Sequence, residues 1–350
     1  MKLSDYVKVL NFLMANYKTM EYFKSFEEDI LQGKIQNFEQ KALELFQFQA
    51  MNNPIYKAYI KARKVDPVTI DRMEDIPFLP IRFFKDFQVI SAGLNHFEGY
   101  YSSSGTTGAI TSRHYFWSES FYLQHALKLF EKAYGSIKEF HVLALLPAYL
   151  ERKGSSLVSM ADYFIKESGS KYSGFYLYNH SDLVTTLQKL KKNTKHVLLL
   201  GVTFALLDLA ESGVEIPDLP NLIVMETGGM KGRRIEMVRE EVHEKLMHAF
   251  NVEKIHSEYG MTELMSQAYS KGEGKYNLPD SMHVMLRDIN DPFTFSHRMQ
   301  GGINIIDLAN FHSCAFIETQ DLGKLDEKGS LEVLGRFDNS EIRGCNLMVN

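Results

Sequence analysis

The sequence predicts an α/β fold in which mostly parallel sheets are covered by helices and a smaller β-rich lobe is attached. Two observations lead to this prediction. Between residues 140 and 256, short apolar runs alternate with amphipathic stretches, and repeated strand–helix units of this length are typical of a parallel sheet with helices on its faces. After residue 265 the helical periodicity fades, and apolar runs separated by Gly, Asn, Asp and Pro indicate strands joined by turns.

The N-terminal part, up to about residue 65, is expected to be helical. Its clearest stretch is NFEQKALELFQFQAM (37–51), whose apolar residues fall on one side while the polar residues stay in water. Prolines at 67, 77 and 80 follow, so the backbone of 65–90 is expected to be extended or turning. This part carries no motif, and we interpret residues 1 to about 90 as a helical cap on the next region.

The remaining elements can be assigned in chain order. In the alternating region, strands are predicted at 141–147, 174–178, 196–201, 221–225 and 252–255, and helices at 155–168, 181–193, 203–213 and 233–250. Ser181 or Asp182 is the expected N-cap of the second of these helices. In the β-rich lobe, predicted over about 265–336, strands are expected at 281–289, 302–308, 313–319 and 330–335.

Composition and charge argue against several classes of protein. The 350 residues are 45% hydrophobic and 24% charged, which is ordinary for a soluble globular protein with enough apolar material for a core. A net charge of -5 provides no basic field, so nucleic acid is not an expected partner. The first residues mix Lys, Asp and Asn into apolar positions and match neither a signal peptide nor a membrane span. With two cysteines in the whole chain, a reducing compartment and a cytoplasmic location are predicted.

The segment YYSSSGTTG (100–108) is the most informative of the chain. Its serines, threonines and glycines make a loop rich in hydroxyl and amide donors, which suits the oxygens of a polyphosphate because glycine lets the backbone approach closely. It is not a Walker A loop, since the G-K-[S/T] ending is missing, and it lacks the G-x-S-x-G elbow of a serine nucleophile. Taken alone, such a cluster is more typical of a polar turn.

Three further motifs follow this loop in a particular order. They are HSEYGMTEL (256–264), ETQDLG (318–323) and GRFDNSEIRGC (335–345). Together with the loop, they resemble the motifs of the adenylate-forming superfamily, which includes acyl-CoA synthetases and adenylation domains. The resemblance implies a fold like the large N-terminal domain of these enzymes. It also implies that ATP and Mg2+ are used to activate a carboxylic acid as an acyl-adenylate.

The resemblance implies a role for each motif residue. The phosphates would be wrapped by Ser102, Ser103, Ser104, Gly105, Thr106, Thr107 and Gly108, with Gly228 and Gly229 along the adenine and Gly260 within the tyrosine motif. The Tyr259 ring would stack on adenine, and the Thr262 hydroxyl would bind phosphate. Glu263 would supply an oxygen ligand for Mg2+. Asp321 would accept hydrogen bonds from the ribose hydroxyls, and Arg336 would donate to ribose or phosphate.

A closer resemblance is to the LuxE-type acyl-protein synthetases. LPAYLERKGSSLVSMADYFI (146–165) and EIRGCNLMV (341–349) look like that branch, and the resemblance spans roughly residues 75–350. In that branch a cysteine near the C-terminus accepts the acyl group and passes it to a partner acyl reductase. The resemblance implies a large domain over 1–336 and a vestigial tail over 337–350. No residue is assigned the role of the catalytic lysine that larger members carry in a C-terminal domain.

The two cysteines receive different predictions. Cys345 ends the last motif, where its thiolate would be the nucleophile, helped by nearby cations such as Arg343. Cys314 lies in an apolar run and is assigned to the core. The implied activity is that of a carbon–sulfur ligase acting on a fatty or other carboxylic acid, with Cys345, Glu263 and Arg336 as catalytic residues. An acyl reductase or acyl carrier protein would be the partner.

Two alternative functions stay open. An acyl- or aryl-CoA ligase of the phenylacetate-CoA ligase type would use coenzyme A as the thiol. A non-catalytic nucleotide-binding subunit would instead regulate or scaffold a partner reductase. Histidines at 114, 141, 180, 256 and 312 lack metal-ligand spacing and are interpreted as structural, with His256 the nearest of them to the tyrosine motif and to an acyl pocket.

Overall fold

The computed structural model describes residues 18–93, 96–103, 111–146, 154–176, 179–228, 237–289, 291–296 and 299–337. Its helices are α1 (18–31), α2 (Phe38–Asn52), α3 (Pro54–Ala62), α4 (Phe83–Asp86), α5 (Glu119–Tyr134), α6 (Ser156–Ser168), α7 (His180–Leu190), α8 (Thr203–Ala210) and α9 (Arg239–Phe250). Its strands are β1 (Leu79–Pro80), β2 (Gly99–Ser102), β3 (Arg113–Phe116), β4 (Phe140–Leu145), β5 (Gly174–Tyr176), β6 (His196–Val202), β7 (Leu222–Thr227), β8 (His256–Tyr259), β9 (Ala268–Ser270), β10 (Lys275–Asn277), β11 (Met282–Arg287), β12 (Gln300–Asp307), β13 (Phe316–Leu325) and β14 (Leu331–Arg336).

A sheet of twelve strands runs through the molecule. Its order is β11-β12-β13-β14-β10-β9-β8-β7-β6-β4-β5, and β1 pairs with β13. Strands β5, β4, β6, β7 and β8 are parallel neighbours. Parallel strands need crossover connections, which α6, α7, α8 and α9 supply in chain order. The predicted α/β fold class is confirmed, and the strand–helix alternation in the sequence corresponds to this half of the sheet.

The β-rich region predicted over 265–336 is the other half of the same sheet. Strands β9 and β10 have three residues each and join β8 to β14 by antiparallel pairing. Strands β13, β12 and β11 extend this half, again antiparallel. Among the described strands, parallel pairing is therefore limited to β4–β8 and to the pair of β1 with β13. A second, two-stranded sheet of β2 and β3 lies apart from the large one.

The parallel half is buried because its strands are apolar on both faces. Every residue of β4 is buried, as is every residue of β6 after His196. Helix α6 covers this half and begins at Ser155, whose side chain accepts a hydrogen bond from the Val158 N–H. The C-cap after the last helical residue is Gly169, which takes the left-handed conformation with a φ of +59°.

The N-cap predicted for α7 is wrong. The cap is Asn179, whose side chain accepts a hydrogen bond from the Asp182 N–H. Ser181 and Asp182, the predicted caps, lie inside the first turn of the helix. Asn, Ser and Asp are all good N-caps, so their order in Asn179-His-Ser-Asp could not decide which one begins the helix.

The last strand of the alternating series begins four residues later than predicted. It is His256–Tyr259 and not 252–255. Helix α9 ends at Asn251, which has a left-handed φ of +49°, and the following residues bring the chain back to the sheet. Tyr259, a predicted site residue, therefore lies on the strand itself and not on the loop after it.

The helices predicted in the N-terminal part pack on the antiparallel half. Tyr56 of α3 stacks on Phe316 of β13, and Gln49 of α2 donates a hydrogen bond to Asn310 O in the turn after β12.

Within the described residues, none of the helices combines the length and the apolar character that crossing a membrane requires.

Candidate active site

Tyr259, Asp321 and Arg336 lie within reach of one another although they are distant in sequence. Tyr259 is the last residue of β8, and Asp321 of β13 is directly paired with Arg336 at the end of β14. The Tyr259 hydroxyl donates to Asp321 Oδ2 at 2.9 Å, and Arg336 Nε lies 3.5 Å from Asp321 Oδ1. Folding therefore brings the tyrosine motif and the two later motifs to one point on the sheet.

The Asp321 carboxylate has one buried and one exposed partner. The side chain of Asp321 is 13% exposed, whereas that of Arg336 is 73% exposed. Burial raises the pKa of the Asp321 carboxyl, and the Arg336 charge and the Tyr259 hydrogen bond oppose this rise. Burial and the neighbouring Asp321 raise the pKa of Tyr259, so its hydroxyl stays protonated and donates. Most of the Arg336 side chain remains accessible to a ligand.

Glu263 lies beside the same group of residues. It is buried, and burial raises the pKa of its carboxyl; a hydrogen bond with Ser112 and the charges of Arg336 and Lys85 oppose this rise. Ser112 lies four residues after the predicted phosphate loop and is hydrogen-bonded to Ser103, which belongs to that loop. The tyrosine motif is therefore adjacent to the base of the phosphate loop.

The predicted phosphate loop is the connection between β2 and β3. The Ser103 N–H donates to Ser112 O at 3.2 Å and the Ser112 N–H donates to Ser103 Oγ at 3.0 Å, which closes the base of the loop. Behind it, the Ser102 N–H donates to Gly154 O at 2.7 Å. The predicted site residues that lie outside the described residues are Ser104, Gly105, Thr106, Thr107, Gly108, Gly229 and Cys345, together with Arg343 near the last of them.

Two of the predicted glycines occupy positions that disfavour a side chain, one because of its backbone conformation and one because of a close neighbour. Gly228 follows β7 with a left-handed φ of +76°. A Cβ at Gly260 would clash with Glu258 Oε1. The Glu258 carboxylate is itself held by a hydrogen bond from the Thr227 hydroxyl, so it would have to give up that bond to make room.

A cavity of about 500 Å3 opens at the base of the phosphate loop. Lys85 of α4, Thr111 and Arg113 are among the residues that line it. Asp86 also lines the cavity, but its carboxylate is paired with Arg82 at 3.2 Å, so Lys85 and Arg113 leave the lining net positive, which favours a polyanion. Sequence reasoning missed Lys85 and Ser112 as neighbours of the site, since neither belongs to a recognisable motif. Their proximity depends on α4 packing against β3, which no local pattern indicates.

Glu263 fits the predicted role of a Mg2+ ligand on chemical grounds. Its buried carboxylate offers a hard oxygen, and no Lys or Arg of the described residues lies within salt-bridge distance of it. Across the same residues, no group of three or more His, Cys, Asp or Glu side chains could hold a metal ion. Glu263 is thus the described residue that would hold a Mg2+ ion, which would offset phosphate charge.

His256 and Cys314 are accounted for by the fold. His256 begins β8, at the opposite end from Tyr259, and its Nδ1 forms a 3.0 Å hydrogen bond with the Tyr134 hydroxyl. Cys314 is fully buried, and burial raises the pKa of its thiol to about 12. Its assignment to the core is confirmed, and its thiol is not a source of thiolate near neutral pH.

Part of the sequence matches a known protein family. Residues 24–115 match the family model described as acyl-protein synthetase, LuxE. This match includes the whole phosphate-loop motif and most of β3, but not the tyrosine motif or the motifs around Asp321 and Arg336. No curated protein sequence gives a match to the chain.

Several solved structures have a similar fold. One is an open conformation of 2-hydroxyisobutyryl-CoA ligase in complex with 2-HIB-AMP and CoA, with a TM-score of 0.62 at 13% identity over 89% of this chain and 70% of that chain. Another is ATP-bound MatB from Rhodopseudomonas palustris, with a TM-score of 0.50 at 17% identity over 71% of this chain and 50% of that chain. The chain thus spans about half the length of MatB and 70% of the length of the 2-hydroxyisobutyryl-CoA ligase. The match over residues 24–115 agrees with the LuxE resemblance first seen in the motifs, and the solved structures show that the chain shares their fold.

Proposed function

We propose that the chain is an ATP-dependent acyl-protein synthetase, a ligase that activates a carboxylic acid as an acyl-adenylate and then forms a thioester. The observation that most supports this proposal is the convergence of motifs described above. The Tyr259 hydroxyl, the Asp321 carboxylate and the Arg336 guanidinium meet at one point. Glu263 of the tyrosine motif also bonds to Ser112 at the base of the phosphate loop. These contacts support a single site that draws on all four motifs and has the polarity that a nucleotide needs.

The first chemical step would join the acid to AMP. A carboxylate oxygen of the acid attacks the α-phosphorus of ATP and forms a new P–O bond. The bond from that phosphorus to its bridging oxygen breaks, and pyrophosphate leaves with the electron pair. Lys85 and Arg113 border the cavity at the base of the loop, where they would stabilise the charge of the departing pyrophosphate.

The residues of the site have distinct parts in this step. Asp321 would accept hydrogen bonds from the ribose hydroxyls, with the Tyr259 hydroxyl holding one of its oxygens in place. Arg336, largely exposed, would donate to ribose or to the α-phosphate. Thr262 would bind phosphate, and Glu263 would hold Mg2+. When bound, the ion would offset phosphate charge and polarise the reacting phosphoryl group. The Tyr259 ring and the glycines at 228 and 229 would contact adenine.

The second step would move the acyl group to sulfur. A thiolate attacks the carbonyl carbon of the acyl-adenylate, a C–S bond forms, the C–O bond to AMP breaks, and AMP leaves. We propose Cys345, in a tail of residues 337–350 after a large domain of 1–336, as the acceptor. The acid would be a fatty acid, and the thioester would pass to an acyl reductase or an acyl carrier protein. We expect the protein to work in the cytoplasm, where ATP is available and thiols stay reduced.

A labelling experiment tests the covalent step. Incubation of the wild-type chain with ATP, Mg2+ and a radiolabelled fatty acid is expected to give an acid-stable, hydroxylamine-sensitive adduct, and Cys345→Ser is expected to give none. Cys314→Ala is the matched control, because Cys314 is fully buried and should not affect labelling. No adduct on the wild type, or undiminished labelling of Cys345→Ser, would contradict the proposed acceptor.

A CoA ligase is the second candidate, favoured by the likeness to a ligase structure that contains an acyl-adenylate and CoA. It shares the first step and differs in the thiol. AMP release that depends on coenzyme A, with Cys345→Ser as active as the wild type, would select this function.

A further inference from the structure

The backbone around Glu263 is held by side chains that reach it from other elements. His114 of β3 donates from Nδ1 to the Thr262 carbonyl oxygen at 2.8 Å. Asn310, in the turn after β12, donates from Nδ2 to the Glu263 carbonyl oxygen at 2.9 Å. Both donors are fully buried. Two consecutive peptide groups, those of Thr262 and Glu263, therefore have fixed directions.

The two amides that follow are held from the other side. Asp307, the last residue of β12, accepts from the Met265 N–H at 2.8 Å and from the Ser266 N–H at 3.0 Å, both with Oδ2. Its Oδ1 accepts from the Ser266 hydroxyl at 2.7 Å and from the Ala309 N–H at 3.1 Å. A fully buried carboxylate that receives four hydrogen bonds makes a rigid anchor, since the loss of any one bond would leave buried charge poorly solvated.

Helix α2 supports this arrangement from behind. The fully buried Gln49 donates from Nε2 to Asn310 O at 2.8 Å and to Phe311 O at 3.1 Å, and its Oε1 accepts from the Ala315 N–H at 2.9 Å. The turn that carries Asn310 is thereby tied to the N-terminal helices. A continuous chain of hydrogen bonds runs from α2 through Asn310 to Glu263.

We propose that Asp307 and Asn310 are positioning residues that aim the Glu263 carboxylate and the Thr262 hydroxyl at the bound nucleotide. With His114 they form a set that we call the Glu263 cradle. The N–H and C=O groups of a loop ordinarily form hydrogen bonds with neighbouring backbone or with water. Here buried side chains form those bonds instead, with two carbonyls and two amides next to the buried Glu263 carboxylate. Mg2+ tolerates little deviation from octahedral geometry, so a ligand that meets it must be held in direction. The inference rests on the proposed function, which gives Glu263 a metal–nucleotide complex to bind.

Asn310→Ala tests the cradle by removing the donor to the Glu263 carbonyl. Hydrogen exchange of the amides in a peptide covering 261–266 is expected to become about tenfold faster, because the segment loses one of its anchors. The concentration of Mn2+ that half-saturates the protein in the presence of ATP, measured by electron paramagnetic resonance, is expected to rise about tenfold. Binding of metal-free ATP, measured by calorimetry in EDTA, is expected to stay within about twofold. Asn310→Leu, which keeps the volume and loses the donor, is a second variant if the alanine variant does not fold.

Asn53→Ala is the matched control. Asn53 is also a fully buried asparagine, and its Nδ2 donates at 2.9 Å to the carbonyl of Ser313, in the same turn as Asn310 but without contact to Glu263. It also caps α3, so its loss should cost at least as much stability. Exchange in 261–266 and the Mn2+ dependence are expected to match the wild type.

The outcomes separate the cradle from the proposed function. The positioning role is overturned if Asn310→Ala has the same hydrogen-exchange rates and the same half-saturating Mn2+ concentration as the wild type. It is also overturned if Asn53→Ala changes both quantities as much as Asn310→Ala does. If the wild type binds Mn2+ with ATP but no acid triggers pyrophosphate release, the proposed function fails while the cradle keeps its support. If the wild type binds no Mn2+ with ATP at all, both are overturned.

Discussion

At the scale of single residues, the Tyr259 hydroxyl determines how Asp321 is presented to a nucleotide. It donates to one carboxylate oxygen at 2.9 Å, while the other faces Arg336. Tyr259→Phe is expected to lower the free energy of unfolding by about 1–2 kcal/mol, because the bond is made to a charged and mostly buried acceptor. It is also expected to weaken ATP binding about tenfold, or about 1.4 kcal/mol, because Asp321 loses its fixed orientation. Urea denaturation and calorimetric titration with ATP measure the two effects.

Tyr276→Phe is the matched control for this prediction. The Tyr276 ring is buried with its centroid 5.7 Å from that of Tyr259, and its hydroxyl accepts from Arg239 Nη1 at 2.8 Å. The same change there should also cost stability, but ATP affinity should be unchanged because Tyr276 does not bond to Asp321. Equal losses of ATP affinity in the two variants would contradict a specific role for the Tyr259 hydroxyl.

Single residues also show what a sequence can and cannot reveal. Tyr259, Glu263, Asp321 and Arg336 could be found because each lies in a motif whose chemistry suits a nucleotide. Asp307 could not be found, because it ends an apolar strand and its partners are amides 41 and 42 residues earlier in the chain. Its contribution depends on tertiary contact, which leaves no local pattern in the sequence.

At the scale of elements, one arginine spans the junction between the two halves of the sheet. Strand β10 meets β14 through two residue pairs. Arg239, the first residue of α9, donates to Glu226 Oε1 at 3.2 Å, to the Tyr276 hydroxyl at 2.8 Å and to Val333 O at 3.3 Å. It therefore connects β7, β10 and β14, and it supports the junction that also brings Tyr259 to Asp321.

Arg239→Met is expected to lower the free energy of unfolding by about 3 kcal/mol, because the buried Glu226 would lose its nearest cation. Burial would by itself raise the pKa of Glu226, but the His243 ring, 3.7 Å from Glu226 Oε1, and the Arg239 charge hold that pKa below its ordinary value. Lys245→Met, on the same helix, removes a side chain that is 46% exposed and is expected to cost less than about 0.5 kcal/mol. Urea denaturation that gave the two variants equal stability would contradict the bridging role.

Long elements with their own apolar pattern could be predicted from the sequence, whereas short strands held by distant contacts could not. Strands β4, β6 and β7 and helix α6 were predictable because each carries its own apolar pattern over six or more residues. Strands β9 and β10 were not predicted, since three residues are too few to show alternation. They are nevertheless the strands that join the β-rich region to the parallel half. Through these two strands the attached β-rich lobe and the parallel half form one continuous sheet.

At the scale of the whole molecule, several histidines are buried in a neutral state. Burial lowers the pKa of His114 and His256 to about 4, and burial with the nearby Lys128 charge lowers that of His125 to about 3. Burial also lowers the pKa of His312 well below its ordinary value. These residues come from β3, α5, β8 and the turn before β13, so their desolvation reflects the packing of the entire fold.

This burial predicts that the protein loses stability as the pH falls from about 6.5 toward 4. Unfolded imidazoles take up a proton below about pH 6.5, whereas these folded ones do not until about pH 4 or lower, so the unfolded state binds more protons in this window. Each such histidine contributes up to about 1.4 kcal/mol per pH unit there. The raised pKa values of Glu263, Asp307 and Asp321 act in the opposite sense, since their folded carboxyls keep protons that the unfolded chain has released. They offset part of this loss of stability.

Comparing the wild type with a histidine variant between pH 7.5 and 5.5 separates the histidine effect from that of the buried carboxyls. Urea denaturation across this range should show a free energy of unfolding that falls with pH. His125→Gln should reduce that slope, because glutamine can still hydrogen-bond to Ser266 but takes up no proton in the unfolded state. His248→Gln is the control, since His248 is exposed on α9 and its replacement should leave the slope unchanged. A slope that His125→Gln does not alter would show that the acid sensitivity of the fold has another source.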